Sequence, residues 1–178
     1  MSEIDIVFSL LSEADGDNRE VATQMEQFLQ GHPDALWRTC LDGHFTASAL
    51  VVEENTENFL VLHHTKLRKW LQPGGHVDGS NDFPQSALRE ATEETGIENL
   101  RVVEPFIDLD IHLVEPPKEQ PHLHLDIRYL VLAPEGSVFA PNHESTEMRW
   151  VTMADLSELQ ADESLVRLAT RGLARLGR

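Results

Sequence analysis

Arg89, Glu90, Glu93 and Glu94 crowd into six positions of the segment LQPGGHVDGSNDFPQSALREATEETGI, Leu71 to Ile97, and are the residues best placed to do chemistry. At about 100° per residue on a helix, Glu93, Glu90 and Glu94 fall within roughly a 100° arc, while Leu88, Ala91, Thr92 and Thr95 take the opposite side. One face is a carboxylate patch and the other can pack. Like charges at this spacing disfavour a helix by about 0.2–0.5 kcal/mol per pair, and Arg89 offsets only part of that. A hard divalent cation resolves the rest, because Mg²⁺ is held by a few carboxylate oxygens together with the oxygens of a substrate phosphate. For a bare E-x-x-E-E, a solvated charged face is the plainer alternative.

The wider pattern decides between them. A turn-rich loop carrying Gly74, Gly75 and Gly79 precedes a helix that starts at about Pro84. Gly75 followed by Arg89-Glu90-Ala91-Thr92-Glu93-Glu94-Thr95-Gly96-Ile97 resembles the Nudix box, G-x5-E-x7-R-E-U-x-E-E-x-G-U, where U is aliphatic. The spacing from Gly75 to Arg89 agrees, and Ala91 is a small residue at the first aliphatic position. The lead-in Trp70-Leu71-Gln72-Pro73-Gly74-Gly75 is also similar to the family's approach to its box. One position departs: the isolated glutamate of the pattern is Asn81, with Asp78 and Asp82 close by.

The resemblance implies an α/β/α sandwich with a mixed β-sheet, and hydrolysis of a diphosphate linkage in a nucleoside diphosphate derivative or similar small phosphorylated molecule. It implies Mg²⁺ or Mn²⁺ as cofactor, held by Glu90, Glu93, Glu94 and the Gly75 carbonyl, with Arg89 orienting the carboxylates. Glu90 is the first choice for the base, with Glu144 or Glu147 as loop alternatives. The change at Asn81 motivates a second reading, a Nudix-fold module that binds a nucleotide without cleaving it. An enzyme like isopentenyl-diphosphate isomerase is the weaker rival, because Cys40 lies before the first core strand rather than in a site.

The 178 residues suit one full domain, expected over 44–178, preceded by an N-terminal helical extension over 1–43. Acidic residues outnumber basic ones 31 to 14, a net charge of -17 that repels nucleic acid and anionic membranes, so an anionic substrate needs bridging cations. One cysteine cannot form an internal disulfide, no signal or transit peptide is visible, and no apolar run approaches a membrane span, so a cytoplasmic protein is expected.

The elements that must position the box follow from periodicity. Ile4, Val7, Phe8 and Leu11 make a short amphipathic helix, and a second runs from about Glu20 to Leu29. These two helices offer a cover for the site, a homodimer face or an extension of the core, and the sequence does not choose. FTASALVVEE and NFLVLHH read as a hairpin turning at Asn55–Asn58, with MRWV as a later strand and a packing helix over Leu165–Leu176. His63, His64 and Lys66, in the densest basic patch, are candidate substrate anchors.

FIDLDIHLV and HLHLDIRYLVL alternate strictly, which predicts Ile107, Leu109, Ile111, Leu113, Leu123, Leu125, Ile127 and Tyr129 in the core. The opposite face then carries Asp108, Asp110, His112, His122, His124, Asp126 and Arg128. It reads as a solvated sheet face, as substrate recognition through His124 and Arg128, or as a separate transition-metal site.

Overall fold

The computed structural model describes residues 2–117, 119–140 and 145–178. Helix α1 (Glu3–Ser12) begins at a reciprocal cap, in which the Ser2 hydroxyl accepts from the Asp5 N–H and the Asp5 carboxylate accepts from the Ser2 N–H. Helix α2 (Asn18–Gly31) follows. Their apolar stripes, Val7 and Leu11 on one and Ala22, Met25 and Leu29 on the other, bury against Phe45, Leu125, Ile127 and Tyr129. Of the three roles open to these helices, they at least extend the core.

Seven strands form one mixed sheet: β1 (Gly43–Glu53), β2 (Phe59–His64), β3 (Trp70–Leu71), β4 (Gly74–His76), β5 (Arg101–Val114), β6 (His122–Ala133) and β7 (Ser145–Val151). The main path runs β3-β2-β1-β6-β5; β4 pairs with β1 and β7 with β2. Among the described residues only β1 and β6 run parallel, in a register that sets His44 beside His124 and Ser48 beside Arg128. Helix α3 (Phe83–Thr95) links β4 to β5, and α4 (Glu163–Arg175) ends the fold.

Strand alternation assigns the layers. Along β1, Phe45, Ala47, Ala49 and Val51 face α1, α2 and α3, while Leu50 and Val52 face α4. Helix α4 sits close because Gly172 has no Cβ; one there would lie 2.2 Å from Leu50 Cδ2. The result is the expected α/β/α sandwich with two N-terminal helices in front. No helix among the described residues is long and apolar enough to cross a membrane.

The β5–β6 pair departs from expectation. Leu113, assigned to the core by alternation, is 58% exposed near the strand end, whereas Asp108, Asp126 and Arg128 on the supposedly wet face are fully buried. Two covers that alternation cannot reveal account for the difference. Helix α4 crosses this face and delivers Arg167 and Arg171, and β1 adds Thr46 and Ser48 alongside. The register also slips between Val103 and Asp108, so the strict alternation of FIDLDIHLV starts only after a bulge.

Candidate functional site

Helix α3 starts where Asp82 accepts a hydrogen bond from the Gln85 N–H, with Pro84 in the first turn, and stops at Gly96 in the left-handed conformation (φ 66°). Between those stops the three glutamates grade across the arc: Glu93 is 62% exposed, Glu90 14% and Glu94 5%. Thr92, expected on the packing side, is exposed, because the buried stripe is the narrower line through Ala87, Ala91, Glu94 and Thr95.

The glycine loop closes directly on this helix. A Cβ at Gly75 would lie 2.5 Å from Glu90 Oε2, so glycine is what lets the carboxylate rest on the β4 backbone. The neighbouring Gly74 N–H donates to Glu94 Oε2 at 2.9 Å. Arg89 donates to the His76 carbonyl at 2.8 Å and pairs with Glu90 at 2.8 Å and, at longer range, with Glu93 at 3.9 Å. Arg89 thus ties the loop to the helix and to two of its carboxylates. Carboxylate oxygens gathered on a bare glycine backbone form an all-oxygen donor set, which suits a hard divalent cation.

The remaining candidates fall in three other places. His63 shares a face with Trp70 and Glu147 across three paired strands; its ring stands edge-on to Trp70 at 5.3 Å and meets the Thr146 hydroxyl at 2.8 Å. Glu147 accepts from Arg149 Nε at 2.6 Å, and the guanidinium of Arg149 lies 5.0 Å from the centre of the Trp70 ring. By the pairing of Val61 with Arg149 and of Leu62 with Met148, these side chains project on the α4 side, away from the box helix. Glu144 lies outside the described residues. His64 Nδ1 accepts from the Lys66 and Leu67 N–H groups at 3.2 Å, capping the turn on which Lys66 is exposed.

Arg128, expected on a ligand-facing surface, is an internal tie. Its guanidinium reaches Asp126 at 2.7 Å, Asp110 at 3.0 Å, Asp108 at 3.1 Å and the Ser164 hydroxyl at 2.7 Å. Arg167 and Arg171 complete the set on Asp108, and Arg167 also reaches Asp110. Burial opposes ionisation of Asp110, but the His112 hydrogen bond and the arginines outweigh it and hold the carboxyl well below its usual range.

Below this tie, on the same face, lies a patch of imidazoles. His124 has His44, His76, His112 and His122 within 5.1–5.5 Å between ring centres. Burial first, then the repulsion of these neighbours, pushes His124 down to about 2; burial and His44 push His76 to about 4. His124 and His76 are therefore neutral at physiological pH.

Comparison with known proteins agrees with this geometry. A model described as the NUDIX domain matches residues 43–170, which includes both the glycine loop and α3. The chain belongs to the Nudix family. A probable DHNTP pyrophosphohydrolase from Lactococcus lactis subsp. cremoris is 28% identical over 71% of this chain and 77% of its own length. The asymmetrical bis(5'-nucleosyl)-tetraphosphatase of Mus musculus is 44% identical over a shorter stretch, 31% of this chain and 40% of its own. Among solved structures, the Caenorhabditis elegans Ap4A hydrolase superposes with a TM-score of 0.60 over 75% of this chain and 97% of that one at 23% identity. The Escherichia coli dihydroneopterin triphosphate pyrophosphohydrolase gives 0.60 over 74% and 95% at 15% identity. The Nudix relatives found by sequence are thus pyrophosphohydrolases, and the structural matches show the fold.

Within this Nudix domain, two members of the imidazole patch, His44 and His76, escape the sequence reading. His76 follows the glycine pair and alternates to the other face of the sheet from Gly75. His44 reaches His124 only through the parallel pairing of β1 and β6, strands almost eighty residues apart. The repeated His-x-His of β6 was the visible part of that signal.

Proposed function

We propose that this Nudix protein hydrolyses a diphosphate linkage in a nucleoside diphosphate derivative or a similar small phosphorylated molecule, with Mg²⁺ or Mn²⁺ as cofactor. The observation that carries the reading is the seating of Glu90 on Gly75, with Arg89 joining the same loop to Glu90 and Glu93. Glu90, Glu93, Glu94 and the Gly75 carbonyl would hold the cation. When bound, such an ion neutralises diphosphate oxygens and lowers the pKa of water at the site.

The chain supplies the rest. Arg89 keeps the carboxylates gathered and the loop closed, so the donor set is preorganised rather than assembled at each turnover. Glu90 stands as general base, taking the proton from the attacking water; Glu144 and Glu147 are the alternatives outside the box. The embedded Glu94, fixed by the Gly74 N–H, resists reorientation and suits a ligand better than a proton shuttle. Lys66, on the turn that His64 caps, would meet the phosphate end of the substrate, whereas His63 and Trp70 stand on the α4 side of the sheet.

The relatives' names single out two substrate classes to test first, dihydroneopterin triphosphate and dinucleoside polyphosphates. A panel of these with ADP-ribose, nucleotide sugars and nucleoside triphosphates, each with Mg²⁺ or Mn²⁺, is expected to show turnover of at least one. Glu93→Gln should abolish it. Binding of a nucleotide with no cleavage of any panel member would sink the hydrolase reading and favour the nucleotide-binding module that Asn81 suggests. The isomerase rival gains nothing from Cys40, whose thiol is buried under the N-terminal helices and pushed upward by that burial and by Asp34, away from a reactive thiolate.

A further inference from the structure

The imidazole patch is the strongest feature the diphosphate chemistry leaves unused. His44 and His124 are lateral partners in β1 and β6, and His122 is two positions before His124, so all three project from one face of adjoining strands. One ligand atom from each lies within 4.8 Å of the others. Gly75, one residue before His76, points its missing Cβ at Glu90, so the imidazoles and the box helix occupy opposite faces of the sheet.

Two of the rings are already set as ligands. His44 Nδ1 lies 3.3 Å from the Cys40 carbonyl and His122 Nδ1 lies 2.9 Å from the Gln120 carbonyl. A carbonyl only accepts, so in the neutral imidazole each Nδ1 carries the proton and leaves the Nε2 lone pair for a ligand. Metal-bound histidines are commonly oriented in this way, with the second ring nitrogen donating to the backbone. The decisive atom is His44 Nε2. His44 is only 3% exposed, and this nitrogen has no hydrogen-bond partner among the described residues. A buried acceptor left unsatisfied is destabilising, and a metal removes that cost.

We propose that His44, His122 and His124 bind a first-row transition metal of the Zn²⁺ class, at a site separate from the carboxylate patch. An all-imidazole donor set selects Zn²⁺ over the hard Mg²⁺ that carboxylates prefer. Three protein ligands leave a coordination position open. A small cavity of about 130 Å³ adjoins two of the three ligands, His44 and His122, and is otherwise lined by Arg38, Cys40, Leu41, Glu119 and Gln120.

The test uses the full chain, stripped of metal with a chelator and titrated with Co²⁺ or Zn²⁺ in excess Mg²⁺. One equivalent should bind, with the visible absorption of low-coordinate Co²⁺ and a rise in Tm. X-ray absorption on the Zn²⁺-loaded wild type should show imidazole nitrogens at about 2.0–2.1 Å. His122→Gln and His124→Gln should each weaken binding by more than the about 10–100-fold attached to loss of an outer-shell partner, while Glu93→Gln binds Co²⁺ as the wild type does. Absence of stoichiometric binding, an all-oxygen shell in the absorption spectrum, or binding lost in Glu93→Gln but kept in the histidine variants would overturn the site. The absorption experiment needs no variant, so a histidine substitution that fails to fold leaves the proposal testable. None of these readouts depends on turnover, so failure here and failure of the hydrolase reading remain distinguishable.

Discussion

Two clusters of three carboxylates sit in this fold, and they are put to opposite uses. On α3, Glu90, Glu93 and Glu94 share their helix with a single arginine, Arg89. Between β5, β6 and α4, Asp108, Asp110 and Asp126 meet three arginines, Arg128, Arg167 and Arg171, and Ser48 and Thr46 hydrogen-bond to Asp126. The second cluster is charge-matched around Asp108, Asp126 and Arg128, which are buried, so its part is to hold the layers together. The first is carried on one face of a helix against a glycine backbone, graded from buried Glu94 to exposed Glu93. Carboxylate count alone says little about function; the cations delivered by neighbouring elements decide it.

Deleting one charge from each cluster should therefore fail in different ways. Arg128→Ala removes the arginine shared by Asp108, Asp110 and Asp126, leaving buried Asp126 with only the Thr46 and Ser48 hydroxyls, and should lower stability by about 3–5 kcal/mol, read as an earlier chemical-denaturation midpoint. A variant that unfolds as the wild type does would show that the tie is slack. Glu90→Gln should leave that midpoint nearly unchanged and reduce kcat by about 10²–10⁴-fold, the range for loss of a general acid or base. Equal losses of stability in both variants would erase the contrast.

Acid sharpens it further. The carboxyl of Asp110 is depressed in the folded state, so its contribution is fully present above the unfolded value of about 3.9 and is lost as pH falls below it. Asp110→Asn should accordingly be less stable than the wild type at pH 6, with a gap that starts to narrow below about pH 4 and is still mostly open at about pH 3, as followed by denaturation at each pH. A gap that stays constant would argue against the depressed carboxyl. The smallest effect belongs to Glu147, which is tied to Arg149 on the α4 side of the sheet. Glu147→Gln should alter kcat by less than about threefold, well below the range for loss of a base; a loss as large as that of Glu90→Gln would make Glu147 the base.

The box is legible in the sequence because its geometry is local. Gly75 to Ile97 is a loop and one helix, and helical spacing alone places Glu90, Glu93 and Glu94 on one arc with Arg89 at its edge. The cap at Gly96 and the turn at Asn55–Asn58 are read the same way, from residues that tolerate positive φ. The two-sided character of β5 and β6 was visible too, as alternation. Alternation tells which residues share a face, but not what will lie across it. That Asp108, Asp126 and Arg128 are sealed in was settled by α4, whose arginines come from about forty to sixty residues further on. That His44 joins His122 and His124 was settled by a parallel pairing, and long-range pairings leave no local mark in the chain. Sequence by itself determined the carboxylate helix and its glycine seat; tertiary structure decided which polar face became a buried tie and which became a nest of imidazoles, because burial belongs to the assembled layers rather than to any one segment.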